Sequence, residues 1–173
     1  MRTPDGTIGN RQVTVVPRSA PDSIETAPPC NSTKLLTCLD NSVVIPFLIE
    51  HPLSRPAQAL WDLWRQEQRQ LIAPFLLRYE VTNVLYRYYA KGWLSQETAL
   101  FARQSAFTLP ITCYQDELLH QQACVIADRF ALPAAYDAHY LALAQRFDAD
   151  FWTADRRLFL AVHENLPWVY LLQ

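Results

Sequence analysis

AYDAHYLALAQRFDADFWTADRRL, residues Ala135 to Leu158, is the stretch on which the fold turns. Its first half reads as a helix over 135–147, with Asp137 in the opening turn and Tyr140, Leu141 and Ala144 three, four and seven residues further on. Residues so spaced share one helix face, so the carboxylate is turned toward the apolar side that a sheet would cover. A short apolar run over 151–153 then reads as a strand. After one alanine, Asp155 stands where the chain turns into another helix, Asp155 to Glu164. Two acids therefore lie at element boundaries in a segment that alternates helix, strand and helix.

The alternation continues in both directions. Lys34 to Leu39 (KLLTCL) is a strand candidate, followed by Asp40, Asn41 and Ser42, three good N-capping side chains, and the helical VVIPFLIE. Ser54 to Gln68 carries Leu60, Leu63 and Trp64 on one helix face, and Gln70 to Ala73 is a second strand closed by Pro74. Phe75 to Lys91 is the strongest helix: Leu77, Val81, Val84, Leu85 and Tyr88 recur at helical spacing, Glu80 shares their face, and Gly92 stops it. A helix from Ser95 to Phe107 follows, its capping box imperfect because Glu97 falls one place early. Leu109 to Cys113 reads as a strand, Asp116 to Phe130 as a helix, Asp148 with Asp150 as a loop-shaping pair, and Trp168 to Leu172 as a last strand. Together these predict a three-layer α/β/α domain with a mainly parallel central sheet covered on both faces.

Of 173 residues, 50% are apolar and 12% aromatic, enough for one domain that buries about two-thirds of its unfolded surface. Residues 1–33 differ: they hold five of the twelve prolines and two of the three glycines, and only RQVTVV (Arg11 to Val16) resembles a strand. The expectation is a disordered tail with a domain boundary near Lys34. The longest apolar run, Leu35 to Ile49, is broken by Asp40, Asn41, Ser42 and Pro46, which argues against a membrane span. No secretory signal pattern is seen, so the reading is cytoplasmic. Cys30, Cys38, Cys113 and Cys124 have neither a CxxC pair nor a histidine at zinc spacing and read as reduced structural thiols. A net charge of −2 argues against a strongly basic nucleic-acid binder while leaving room for a local arginine patch.

In a parallel sheet the functional crevice lies at the carboxyl ends of the strands, where Asp40 and Asp155 would both project. Glu80 and Asp137 face the core, and neither has a lysine or arginine three or four residues later: Asn83 and Val84 follow one, Tyr140 and Leu141 the other. An ionised carboxylate buried without a partner costs several kcal/mol or more, which a shifted pKa or a bound cation offsets. Four carboxylates without His or Cys point to Mg²⁺ or Mn²⁺ over zinc. Ser42 and Thr153 are hydroxyls beside acids at the sheet edge, able to orient them or a bound water. Arg78, Arg87, Arg156 and Arg157 are candidates for phosphate contact.

Each residue also has an ordinary reading. Asp40 and Asp155 stand where N-caps are expected, Asp137 could complement its helix dipole, and Glu80 could pair with an arginine from another element. His139, two residues past Asp137, belongs to a different helix face, which points it to solvent or a partner. Tyr79, Tyr86, Tyr88, Tyr89 and Trp93 could stack bases or seat a partner helix, with core packing for some of them. Asp62, Glu67, Glu97, Asp116, Glu117 and Glu164 read as solvated surface.

Four segments, LDNSVVIPFL, LLRYEVTNVLYR, YDAHYLALA and WTADRRL, in this order and spacing, resemble the four motifs of PIN-domain ribonucleases, in particular the VapC-type toxins of toxin–antitoxin pairs. The resemblance covers roughly four-fifths of the chain, from Lys34 onward; any one motif is weak and the ordered set is specific. It implies a metal-dependent endoribonuclease in which Asp40, Glu80 and Asp137 form the acidic cluster, Asp155 supplies the more variable fourth acid, and Ser42 and Thr153 support it. It also implies Mg²⁺ or Mn²⁺, an RNA substrate, a cognate antitoxin and a homodimer; of the candidate arginines, Arg78 and Arg156 are the ones read as contacting that RNA. The proline-rich extension before Lys34 departs from the family pattern. Two other readings remain: a non-catalytic PIN-like module that binds protein or RNA, and a haloacid-dehalogenase-like phosphatase, which would need an Asp where Ser42 stands.

Overall fold

The structure, a computed structural model, describes residues 34–173. The reading of residues 1–33 as a disordered tail, and Cys30 with it, lies outside them. Strands β1 (Leu36–Leu39), β2 (Gln70–Pro74), β3 (Ile111–Tyr114), β4 (Asp150–Thr153) and β5 (Val169–Leu171) form one sheet in the order β3-β2-β1-β4-β5, every neighbour parallel. The helices are α1 (Asn41–Leu48), α2 (Ser54–Gln66), α3 (Leu76–Ala90), α4 (Gln96–Thr108), α5 (Glu117–Arg129), α6 (Tyr136–Arg146) and α7 (Arg156–Val162).

Consecutive strand residues point to opposite faces, and β4 shows what each face meets. Phe151 stacks on Tyr140 of α6, with ring centroids 6.0 Å apart, while Trp152 meets Trp64 of α2 edge-on at 6.2 Å. The sheet is thus sandwiched, α6 on one side and α2 on the other, which is the three-layer architecture expected. The central strands carry apolar residues on both faces: Cys38, Leu39, Ile72, Ala73, Phe151 and Trp152 are buried, as a doubly covered parallel sheet requires.

The helix ends follow local chemistry. Asp40, Ser95, Asp116 and Asp155 each accept a backbone N–H of the turn that follows, so Asp116 is a cap as well as a surface acid, and the hydroxyl arm of the imperfect capping box at Ser95 forms with Thr98. Gly92, at φ +71°, ends α3 in the left-handed region that glycine enters without strain. Asp148, at φ +49°, does shape the turn before β4. Asp150 does not: it is the first residue of β4, fully buried, and its carboxylate accepts from the Arg69 guanidinium at 2.8 Å. An arginine 81 positions away is invisible to local pattern reading, which is why Asp150 looked like a loop residue. Among the described residues no helix is long and apolar enough to cross a membrane.

Candidate active site

The chain goes from β1 outward to β2 and β3, then returns to β4 on the other side of β1. The crevice at the carboxyl ends of β1 and β4 is therefore the topological switch point, where open parallel sheets receive ligands. Asp40 leaves β1 there and Asp155 leaves β4. Glu80 arrives from the second turn of α3, Asp137 from the first turn of α6.

Asp40 is the best anchored. Its Oδ1 accepts the Ser42 backbone N–H and the Ser42 hydroxyl, and its Oδ2 accepts the Thr153 hydroxyl at 2.6 Å. Each hydroxyl also accepts a backbone N–H from the β4–α7 connection: Ala154 donates to Ser42 Oγ at 2.6 Å, Asp155 to Thr153 Oγ1 at 2.9 Å. With both hydroxyl protons given to Asp40, the 3.4 Å approach of the two oxygens is a contact and not a hydrogen bond. The two hydroxyls expected to support the acids thus stitch the end of β1 to the end of β4. Burial pushes the Asp40 carboxyl up to about 7; the Ser42 and Thr153 bonds oppose that rise and the Glu80 charge adds to it.

Glu80 is held through Oε2, which accepts from Asn41 Nδ2 at 2.8 Å and from the Tyr140 hydroxyl at 2.6 Å. Among the described residues no arginine pairs with it. Tyr140 is buried and its phenol is pushed well above the ordinary value, first by burial and then by the Glu80 charge, so it remains a donor. Asp137 is half-buried and, among the described residues, has neither a hydrogen bond nor an ion pair. Burial raises its carboxyl, and the charges of Asp155 and Glu80 raise it further. Asp155 is exposed, its Oδ1 capping α7 through Arg157 N and Leu158 N. Asp40 with Glu80, Glu80 with Asp137, and Asp137 with Asp155 form a chain of mutual repulsion along one edge.

The donor chemistry, hard oxygens that repel one another with no lysine or arginine of the described residues between them, suits a divalent cation of the Mg²⁺ class. The arrangement is open: among the described residues no three His, Cys, Asp or Glu side chains are drawn close enough to enclose a metal ion. Asn41 and Tyr140 are the residues that sequence reading missed. A tyrosine on an apolar helix face could have signalled the second, since a buried phenol seeks a hydrogen-bond partner.

The other candidates scatter. The Arg78 guanidinium lies over the rings of Phe75 and Phe107, at 5.5 and 5.2 Å, on the α3–α4 side. Arg156 is exposed beside Asp155, and Arg87 and Arg157 are exposed as well. Tyr79, Tyr86, Tyr89 and Trp93 are exposed, so of that aromatic series only Tyr88 packs against the core. His139 is half-buried and turns toward α5, where its ring meets that of the exposed His120.

No family model matches the chain. No curated protein matches it either. Among solved structures it is similar to the crystal structure of PAE2754 from Pyrobaculum aerophilum, at 20% identity and a TM-score of 0.56, over 72% of this chain and 84% of that one. At that identity the likeness carries the fold alone, in agreement with the α/β/α layers derived above.

Proposed function

We propose that the chain is a divalent-metal-dependent endoribonuclease of the PIN-domain type, serving as the toxin of a toxin–antitoxin pair. The observation that carries the reading is the run of four carboxylates along the switch-point edge, two of them with raised pKa and none paired with a cationic side chain among the described residues. Asp40, Glu80, Asp137 and Asp155 would hold one or two Mg²⁺ or Mn²⁺ ions. Such ions, when bound, supply positive charge at the phosphodiester and a more acidic water. Ser42 and Thr153 hold both Asp40 oxygens, and Asn41 and Tyr140 fix Glu80 by Oε2, so that Oε1 takes part in neither bond. Arg156, exposed at the start of α7, is positioned for an RNA phosphate, while Arg78 is held between two rings and contributes less.

The purified protein is expected to cleave single-stranded RNA with Mg²⁺ or Mn²⁺ and to stop with EDTA. Asp40→Asn should remove cleavage while circular dichroism stays unchanged. Full activity in that variant, or activity undiminished by EDTA, overturns the proposal. The open spacing of the acids favours a second reading, a PIN-like module that binds RNA or protein without cutting it. RNA retained without cleavage at millimolar Mn²⁺ would decide for that module. A short neighbouring reading frame whose product binds the chain and suppresses cleavage would establish the toxin role, and sedimentation would test the homodimer.

A further inference from the structure

We propose that His120 and His139 form a second metal site, for a borderline transition cation of the Zn²⁺ class, which bridges α5 and α6. His120 Nδ1 and His139 Nε2 lie 2.9 Å apart, with ring centroids at 5.1 Å and planes at 72°, so two ring nitrogens from separate helices meet edge to face. The tautomers follow from the partners. His139 Nδ1 lies 2.6 Å from the Ala135 carbonyl, which only accepts, so that nitrogen carries the proton and Nε2 presents a lone pair. The hydrogen between the rings therefore sits on His120 Nδ1. A metal entering there takes the His139 Nε2 lone pair as it stands. His120 supplies its Nδ1 lone pair by shifting its own proton to Nε2, a change of tautomer that releases no proton overall.

Three features favour a cation over a mere ring contact. An imidazole whose other nitrogen donates to a backbone carbonyl is oriented as metal-ligating histidines usually are. His163 makes the same bond, to the Phe159 carbonyl at 3.0 Å, but its ring stacks on Phe159 and meets no second imidazole, so the pairing is particular to the α5–α6 seam. The geometry is also close to fit: tetrahedral zinc with bonds of about 2.0–2.1 Å sets its ligand nitrogens about 3.3 Å apart. His120 is exposed and free to withdraw by the few tenths of an ångström required. Imidazoles suit Zn²⁺ where the carboxylates of the other edge suit Mg²⁺, so the two sites would sort metals by ligand softness. Water completes the coordination, and the site stands independently of the nuclease reading.

The test is calorimetric titration of zinc chloride into the full chain held in excess Mg²⁺, with histidine ring signals followed by NMR. One Zn²⁺ per chain is expected, moving the His120 and His139 ring signals together and leaving those of His51 and His163 in place. His120→Gln alters an exposed side chain and should leave the fold intact while weakening Zn²⁺ binding by about tenfold or more, since loss of even an outer-shell partner costs that much. Asp137→Asn and Cys124→Ser should bind as the natural chain does. Unchanged affinity in His120→Gln, or loss of binding in either of the other two variants, overturns the site.

Discussion

The two ends of the central sheet bury the same chemical group in opposite ways. At the amino end, Asp150 is fully buried and accepts from the Arg69 guanidinium at 2.8 Å, and the same guanidinium also pairs with Glu67 at 2.6 Å and reaches Thr37 at 3.4 Å. At the carboxyl end, Asp40 is almost as buried, at 6% exposure, yet it receives only hydroxyls and one backbone N–H, and its charged neighbour is Glu80. Burial of a carboxylate is thus no sign of function by itself. The informative feature is burial without a countercharge, and the short β4 separates one condition from the other.

The largest expected effect breaks the amino-end pair. Arg69→Met should cost about 3–5 kcal/mol of unfolding free energy in urea, because it leaves Asp150 charged and enclosed. A loss below about 1 kcal/mol would mean that the two ends do not differ as described. The carboxyl end should behave in the opposite sense. The folded-state pKa of Asp40, about 7, stands above its unfolded value of 3.8, so its contribution is fully present below the unfolded value and is lost as pH rises through about 7. Each unit of that difference is worth about 1.4 kcal/mol. Metal-free protein should therefore weaken between about pH 4 and 8, Asp40→Asn should flatten the slope, and Mg²⁺ should restore stability mainly at the alkaline end; a flat profile in the natural chain removes the contrast. A smaller effect is expected from Tyr140→Phe, about 1.5–3 kcal/mol for one hydrogen bond to a charged acceptor, with RNA cleavage reduced and not abolished. Equal stability and equal activity in that variant would show that Glu80 does not depend on it.

How far these two ends could be read from residues alone depended on the separation of the partners. Strands, helices and their order were legible because the period changes from strand to helix at each Asp, Pro or Gly boundary. The edges moved slightly: β3 begins at Ile111, after Pro110 and not before it, and β4 begins one residue earlier than its apolar run because its first residue is the charged Asp150. The four acids were found from the same periodicity, since each sits at a strand end or on an apolar helix face. Their partners were not. Asn41 reaches Glu80 across 39 positions and Tyr140 across 60, and the Arg69–Asp150 pair closes 81; none of these leaves a periodic trace. His139 was assigned to another helix face correctly, but what lies opposite that face belongs to α5 and required the packing.

The hydroxyl stitching at Asp40 has a consequence for biosynthesis. Thr153 bonds Asp40 across 113 positions and Ala154 bonds Ser42 across 112, so until those residues are made the first acid is held by its neighbour Ser42. Contacts of such span form late, after the intervening chain has been ordered. A nascent chain still tethered to its ribosome, with residues 153–155 inside the exit tunnel, holds Asp40 beside Ser42 but lacks the clamp from β4. The edge that carries the four acids would thus stay unassembled until β4 has left the tunnel.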